Sequence, residues 1–286
     1  MNKTIPIFIA AVFIFQLFFC GIFRHDAEQS AIVSLANEKQ FDCVVKVTEN
    51  DKNLGSGVLI SPNYILTAVH IIISTNQLFN KKKKTADIDP ADFRFVVKGK
   101  TYIAKRFIIH PDFLKNGMAS GTDLMLVELQ NVVPDIIPAT LNTNFDELGA
   151  LVTGVGYGIS GIVTPKGILK TKTAMDKTAG RNTIDEFGGK IVNDKPSLLL
   201  FDFDNPDNPE TNKMGSAIPV DLEYTTAGGD SGGGLFRKKN NRWELLGILH
   251  GSSSDIEDFR KNGYYGQISQ WTRVSLFKDW IQSYTN

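Results

Sequence analysis

The stretch Thr225–Phe236, TTAGGDSGGGLF, holds one acid and one hydroxyl, Asp230 and Ser231, among five glycines. Glycine loses more backbone freedom on folding than any other residue, so this cluster predicts unusual dihedrals or a close approach to the main chain. Backbone N–H groups that must point at a developing oxyanion have both requirements. A mobile Gly-Ser loop is the alternative, and the apolar Leu235 and Phe236 weigh against it only weakly. Taken alone, the stretch leaves both interpretations open.

A serine hydroxyl becomes a strong nucleophile when an imidazole takes its proton and a buried carboxylate holds that imidazole in the right tautomer. The chain offers four histidines. His70 closes GSGVLISPNYILTAVH, a predicted hairpin that delivers its ring at a strand end. Asp123 opens the apolar strand GTDLMLVEL, where burial of a carboxylate is costly unless it is hydrogen-bonded. We therefore pair His70 with Asp123 and expect the fold to bring Ser231 to them.

The other three histidines fit simpler roles. His25 flanks an apolar N-terminal segment, His110 lies in a surface turn predicted from IIHPDF, and His250 lies near the end of a strand predicted from GILHGSS. We therefore rank His70 first as the base.

The elements that must position these residues are mostly strands. From Phe41 onward, short apolar runs rich in Val, Ile, Phe and Tyr recur between Gly, Pro and Asn, which predicts an all-β barrel or sandwich. The runs are CVVKV, GSGVLI, YILTAV, FRFVVKG, TYIAKRFII, LMLVEL, ALVTGVGYG, SLLLFDF and WELLGILHG. Between two of them, ISPNY is a turn in which Pro62 fixes one dihedral and Asn63 tolerates a left-handed one.

One helix is predicted, over residues 275–284 at the C-terminus. In SLFKDWIQSY, Ser275 can cap the first turn, and the apolar side chains fall on one helical stripe. These side chains are Leu276, Phe277, Trp280, Ile281 and Tyr284. We expect the stripe to dock on the β body.

The composition excludes several function classes. With 286 residues, 42% hydrophobic and 22% charged, the chain has globular composition and length for one large or two small cores. Lys plus Arg equals Asp plus Glu at 31 each, so no global field attracts nucleic acid, and we predict no nucleic-acid partner. Because Cys20 and Cys43 are the only cysteines, we predict no structural metal and no cofactor.

The N-terminal segment 1–24 is typical of an export signal. Lys3 precedes an apolar run over 5–23 that ends at Arg24. Cleavage and secretion is the first interpretation, an uncleaved membrane anchor through 5–23 the second, because the run is borderline for spanning a bilayer. A lipid anchor at Cys20 is the third. We therefore expect an exported protein, either secreted or held in the periplasm or cell envelope.

Six motifs of the chain, in their order, resemble trypsin-like serine proteases of the chymotrypsin fold, of the bacterial type without the usual disulfides. They are GSGVLISPNYILTAVH, IIHPDF followed by GTDLMLVEL, GVGYG, GGDSGGGLF, LLGILHG and WTRVSLFKDWIQ. The order His, Asp, Ser is that family's order and differs from the orders of subtilisin-like and α/β-hydrolase enzymes. The resemblance runs from about Phe41 to the end of the chain, and the serine motif is its most specific part.

This resemblance implies a peptidase domain over 32–286: all-β, with two packed antiparallel six-stranded β-barrels and a C-terminal α-helix. The barrels are expected over about 41–140 and about 150–274, with the active site in the cleft between them. The implied function is a serine endopeptidase that cuts polypeptide substrates through an acyl-enzyme intermediate. A catalytically silent homologue acting as a binding module is the alternative, and an esterase or lipase is a third, since GGDSGGG contains G-x-S-x-G by letter.

Carried over residue by residue, the resemblance makes Ser231 the nucleophile and His70 the general base and then the general acid. Asp123 becomes the group that orients His70. The Gly229 and Ser231 amides are expected to form the oxyanion hole.

The implied specificity pocket departs from that of trypsin. Where trypsin has an aspartate six residues before the serine, this chain has Thr225, so cleavage after Lys or Arg is disfavoured. Thr225, with His250 and Ser252 on the opposite wall, resembles the substrate pockets of bacterial glutamate-specific relatives. Two alternatives stay open for His250: a core or rim residue, or the position where the family usually has a serine that bonds the triad carboxylate.

Activation in the family pairs a freed N-terminal amine with the acid before the serine, here Asp230. In SAIVSLANEKQF, Ile32 lies at a suitable distance before His70 but follows Ala31 rather than a basic residue. The hypothesis is that cleavage before Ile32 switches the enzyme on.

Two charged segments are predicted as loops, FNKKKKTADIDPAD and DFDNPDNPE. We interpret Lys81–Lys84 in the first as a solvated run. The acidic side chains of 202–210 supply oxygens that calcium prefers, but their spacing matches no calcium-loop pattern. The sequence does not determine the oligomeric state.

Overall fold

The computed structural model describes residues 21–73, 88–164, 166, 169–172, 176–253 and 263–285. Lys81–Lys84 and most of the predicted export segment lie outside these residues. Three helices are α1 (Gln29–Ala36), α2 (Pro111–Asn116) and α3 (Lys278–Thr285). The strands are β1 (Gly21–Phe23), β2 (Val44–Glu49), β3 (Lys52–Ser61), β4 (Tyr64–Thr67), β5 (Phe93–Val97), β6 (Lys100–Ile109), β7 (Met125–Leu129), β8 (Thr140–Leu141), β9 (Leu151–Gly156), β10 (Ser160–Val163), β11 (Leu169–Lys172), β12 (Thr178–Thr183), β13 (Glu186–Val192), β14 (Lys195–Phe201), β15 (Tyr224–Thr225), β16 (Gly234–Lys239), β17 (Arg242–Ser253) and β18 (Ile268–Arg273).

The N-terminal half is a closed antiparallel barrel in the strand order β2-β3-β4-β7-β6-β5. Closure removes every free sheet edge, and the interior is filled by side chains such as Val47, Leu66 and Phe95, all fully buried. Every residue of β7 is buried, including Glu128, whose carboxylate accepts from Lys105 and Arg106.

Four two-residue hairpin turns among the described residues have positive φ at both central positions, and the local sequence explains why. The turn that matches the right-handed twist of the strands needs positive φ at both central positions, which favours Asn, Asp and Gly. The central residues are Asn50 (48°), Asp51 (61°), Lys98 (45°), Gly99 (76°), Asn193 (48°), Asp194 (60°), Asn240 (48°) and Asn241 (62°).

The C-terminal half is an eight-stranded sheet in the order β12-β9-β16-β17-β18-β14-β13, with β8 pairing onto β17. Its two edge strands, β12 and β13, are joined by only Ile184 and Asp185, so the sheet curls back on itself. At this join the Asp185 amide donates to the Leu200 carbonyl at 3.0 Å. The predicted all-β class with two barrel-like halves is confirmed, although the second half uses eight strands rather than six.

One hydrophobic core extends through both halves. Phe41, before the first barrel strand, packs on Phe236 and Trp243 of the C-terminal sheet at ring distances of 5.3 and 5.1 Å. Gly154 and Gly180 face the Tyr224 ring, where a Cβ at either position would overlap it. The two halves are therefore packed against each other.

The C-terminal helix differs from its predicted start. Ser275, expected to cap it, lies in a 3₁₀ turn, and its hydroxyl donates to Glu147 at 2.6 Å. Arg273 pairs with the same carboxylate through two hydrogen bonds of 3.0 and 2.6 Å. Because Glu147 already holds the Ser275 hydroxyl, α3 begins at Lys278 instead. Among the described residues, no helix has the length and apolar character needed to span a bilayer.

Glu147→Gln tests this buried ion pair. Glu147 and Arg273 are 0% and 2% exposed, so losing one partner strands the other charge in the core. We expect the free energy of unfolding, from urea titration, to fall by about 3–5 kcal/mol. The exposed Asp279→Asn is the control and should stay within about 0.5 kcal/mol of the parent. A loss for Glu147→Gln as small as that of the control would contradict the assignment.

Candidate active site

His70 and Asp123 meet because β4 pairs with β7. His70 lies in the 3₁₀ turn directly after β4, and Asp123 lies two residues before β7. The pairing of Thr67 with Met125 brings the two together. His70 Nδ1 lies 2.6 Å from Asp123 Oδ2, and the His70 main-chain N–H donates to Oδ1 at 3.1 Å. Because an ionised carboxylate only accepts, Nδ1 carries the proton and Nε2 is left to accept one.

A second imidazole contacts the same carboxylate oxygen. His250 Nδ1, from β17, lies 3.1 Å from Asp123 Oδ2. Burial by itself raises the pKa of Asp123, but the hydrogen bonds from His250 and His70 outweigh it and hold that pKa well below its usual value. Of the interpretations left open for His250, the structure has it on the Asp123 carboxylate.

The other two histidines lie apart from this carboxylate. His25 Nδ1 bonds the Tyr265 hydroxyl at 2.8 Å. His110 caps α2, and its ring packs on Trp280 at 5.0 Å, attaching the C-terminal helix to the first barrel. Neither competes with His70 as a base at Asp123.

Ser231 is held against the N-terminal barrel through its backbone. Its carbonyl accepts from the Ser56 amide of β3 at 2.8 Å. Gly232, with φ of +79°, lies so close to the Ser56 carbonyl and the Thr67 hydroxyl that a Cβ would collide with both. The structure therefore brings the serine loop to the end of β4, beside the turn that carries His70. Although it describes both residues, it records no hydrogen bond between Ser231 Oγ and the His70 ring.

The amides of the serine loop differ in whether a protein group accepts from them. The amides of Asp230, Gly232 and Gly233 donate to main-chain carbonyls at 3.1, 3.0 and 2.8 Å. Within the described residues, the Gly228, Gly229 and Ser231 amides have no protein acceptor. Gly229 has φ of +95°, a conformation that favours glycine. The pair predicted for the oxyanion hole, Gly229 and Ser231, is therefore among the three amides that no protein group binds.

Comparison with known proteins now identifies the fold family. The family model named Trypsin matches residues 33–281, which is most of the chain. The chain belongs to the trypsin family. It is also 28% identical over 129 residues to the complement C1r subcomponent-like protein of Rattus norvegicus. That alignment covers 43% of this chain and 27% of the relative, so the chain spans well under two thirds of its length.

Asp230, the acid expected to receive an activating amine in this trypsin-like domain, is bound by backbone instead. Its Oδ1 accepts from the Gly158 amide at 2.9 Å and its Oδ2 from the Ala227 amide at 3.0 Å. Burial raises its pKa to about 7. Among the described residues, no cationic group pairs with it.

The hypothesis of cleavage before Ile32 does not fit the structure. Ile32 lies inside α1 and is 1% exposed, with Leu35 and Ala36 buried beside it. Because the Ala31–Ile32 bond is within a helix packed on β12, cutting it would break that helix rather than free a loose end.

The strand β1 lies beside the serine loop and belongs to the trypsin-like body. It runs parallel to β10 and antiparallel to β15, with Ile22 opposite Thr225. The Gly21 amide donates to the Ile159 carbonyl at 3.0 Å, and the Ile159 amide donates to Gly228 at 2.7 Å. The predicted leader, 1–24, therefore overlaps a strand whose Ile22 is 1% exposed.

Two of the predicted specificity residues, Thr225 and Ser252, lie beside Ser269. Thr225 is fully buried, and its Oγ1 lies 3.2 Å from Ser269 Oγ. Thr226 Oγ1 is also 3.2 Å from Ser269 Oγ, and Ser252 pairs with Ser269 across β17 and β18. Sequence reasoning missed Ser269, because it lies in no motif that marks it as a neighbour of Thr225 and Thr226. His250 instead turns its Nδ1 to Asp123.

The carboxylates of the acidic loop 202–210 are divided between the interior and the surface. Asp202 and Asp204 are buried, whereas Asp207 and Glu210 are exposed. In the part of the chain that the structure describes, no three His, Cys, Asp or Glu side chains are arranged to hold a metal ion.

Ile22→Ala tests whether β1 is part of the fold. The side chain is 1% exposed and packs with Val163 and Phe203, so truncation leaves a cavity. We expect the free energy of unfolding to fall by about 2–5 kcal/mol. Ile218→Ala, at a site 79% exposed, is the matched control and should have little effect. Equal stabilities of the two variants would show that β1 contributes nothing.

The carboxyl groups of Asp185, Asp204 and Glu223 predict that the free energy of unfolding depends on pH. Burial raises the pKa of Asp185 and of Asp204 to about 7 and that of Glu223 to about 8. The unfolded chain loses these protons at lower pH than the folded one, so the stabilising contribution of these three groups is full below about pH 4 and is lost as pH rises to about 8. Urea unfolding between pH 5 and 8 should show a smaller decline for Asp185→Asn with Asp204→Asn than for the parent. The exposed Glu210→Gln should keep the parental slope, and an unchanged slope in the double variant would refute the prediction.

Proposed function

We propose that this trypsin-family protein is an exported serine endopeptidase that hydrolyses peptide bonds through His70, Asp123 and Ser231. The observation that carries the proposal is the 2.6 Å contact between His70 Nδ1 and Asp123 Oδ2, which leaves His70 Nε2 as an acceptor. That nitrogen is the base an attacking serine hydroxyl needs.

The chemistry follows from these groups. As Ser231 Oγ attacks the substrate carbonyl carbon, His70 Nε2 takes its proton, and the buried Asp123 carboxylate stabilises the resulting imidazolium. The carbonyl oxygen becomes an oxyanion that accepts from the Gly229 and Ser231 amides. His70 then returns the proton to the leaving amine, and the acyl group stays on Ser231. Water, deprotonated by His70, releases the acid.

Specificity is proposed from the uncharged base of the pocket. Thr225, Thr226 and Ser269 offer hydroxyls and no carboxylate, so a basic side chain entering the pocket loses its hydration without an ion pair. We expect cleavage to disfavour Lys and Arg. A silent homologue that binds polypeptides is the second candidate, favoured by the missing hydrogen bond between Ser231 and His70.

Labelling with a fluorophosphonate probe tests the proposal. The parent should be labelled and Ser231→Ala should not, because the probe reports an activated serine. Asp123→Asn should label far more slowly, with turnover lower by about 10⁴-fold. Equal labelling of the parent and Ser231→Ala removes Ser231 from the mechanism, and a folded parent that resists labelling supports the silent homologue.

Peptide-library cleavage by the parent protein that has not been treated with the probe tests the proposed specificity. A library preference for Lys or Arg would overturn the specificity proposal while leaving the chemistry intact.

A further inference from the structure

We propose that His250 is a positioning residue whose protonation is coupled to that of His70 through their shared carboxylate. The inference rests on the proposed function, because it concerns the base of that same site. Under this proposal, the loss of kcat/KM as the pH falls depends on the protonation of two imidazoles rather than one.

The contact geometry defines the arrangement. Asp123 Oδ2 lies 2.6 Å from His70 Nδ1 and 3.1 Å from His250 Nδ1. Asp123 is 0% exposed, and the side chains of His70 and His250 are 21% and 14% exposed. Since an ionised carboxylate has no proton to donate, both Nδ1 atoms carry hydrogen. Each ring therefore has its Nε2 left to gain or lose a proton.

A β-bulge aims His250 at this carboxylate. On the neighbouring strand, Leu249 pairs with Trp271 and Gly251 pairs with Gln270, so His250 is the extra residue where the register shifts. A bulge re-aims a side chain that regular pairing would direct elsewhere. His250 is therefore the one residue of this part of β17 that has no partner in the pairing with β18.

Electrostatics then couples the two rings. During catalysis, His70 becomes an imidazolium that the single negative charge of Asp123 stabilises. When His250 is also protonated, two cations share one carboxylate, so His70 takes a proton less readily. Interacting groups of this kind titrate as a pair with two macroscopic steps.

The surroundings of the pair supply few other charges. Asp123 contacts His250 from the segment before β7, and His70 lies in the turn after β4 on the other side of that carboxylate. On β18, the strand beside β17, the nearest paired residues are Gln270 and Trp271, neither of which titrates. Among the described residues, Asp123 and His70 are therefore the titratable groups that these contacts bring to His250.

Two substitutions separate hydrogen bonding from titration. His250→Asn can set its amide N–H near the position of Nδ1 and does not ionise. His250→Ala removes the donor. We expect kcat/KM on the neutral plateau to fall by about 10- to 100-fold for His250→Ala, as for a lost hydrogen bond to a charged group, and His250→Asn to recover most of that loss.

The pH dependence of kcat/KM, compared between the parent and His250→Asn, tests the coupling directly. The parent should lose activity toward acid in two protonation steps, and His250→Asn in one step fewer. Other acid groups affect both proteins alike, so the difference between the two profiles reports His250. Superimposable profiles would overturn the inference.

Histidine NMR of the Ser231→Ala protein gives a test that needs no activity. The His70 and His250 rings should titrate with mutual influence, and adding His250→Asn should turn the His70 curve into a single-proton curve at higher pH. Coupled titrations in Ser231→Ala, together with a parent protein that shows no peptidase activity, would defeat the proposed function and leave the pairing standing. An active parent whose His70 curve is unaffected by His250→Asn would defeat the pairing alone.

Discussion

The buried carboxylate of Asp123 is the interaction on which the site depends. An ionised group with no exposure is costly, and that cost is offset by donors from both halves of the molecule: His70 from the first barrel and His250 from the second. The carboxylate therefore does two jobs. It fixes the tautomer of His70, and it ties the wall of one half to the wall of the other at the base of the cleft.

The serine loop crosses the same boundary by backbone contacts. Ser231 and Gly232 belong to the C-terminal half, yet they rest on Ser56 and Thr67 of the first barrel. These contacts are made by the backbone of the serine loop. They require only that position 232 carries no side chain, because a Cβ there would collide with Ser56 and Thr67. Close neighbours or positive φ thus explain four of the five loop glycines, Gly229, Gly232, Gly233 and Gly234, whereas nothing in the structure requires glycine at Gly228.

The sequence was informative where local chemistry decides structure. The apolar runs of β4 and β7 could be predicted, and the Asn and Asp residues at 50–51, 193–194 and 240–241 carry a local turn signal in the sequence. The insertion of β1 could not, because three apolar residues within an export-like run carry no sign of partners far along the chain. The orientation of His250 depends on a one-residue register shift between β17 and β18, which cannot be seen in the amino-acid sequence. Ser275 looked like a helix cap because its competing acceptor, Glu147, is remote in sequence.

The insertion of β1 also orders events in time. Gly21–Phe23 are the first described residues to be synthesised, but they pair with Ser160–Ile162 and Tyr224–Thr225. The chain must therefore emerge beyond Thr225 before its beginning can dock, and such distant pairings form slowly because long loops must close first. The side of the serine loop that β1 covers therefore stays incomplete until almost all of the downstream chain has been synthesised.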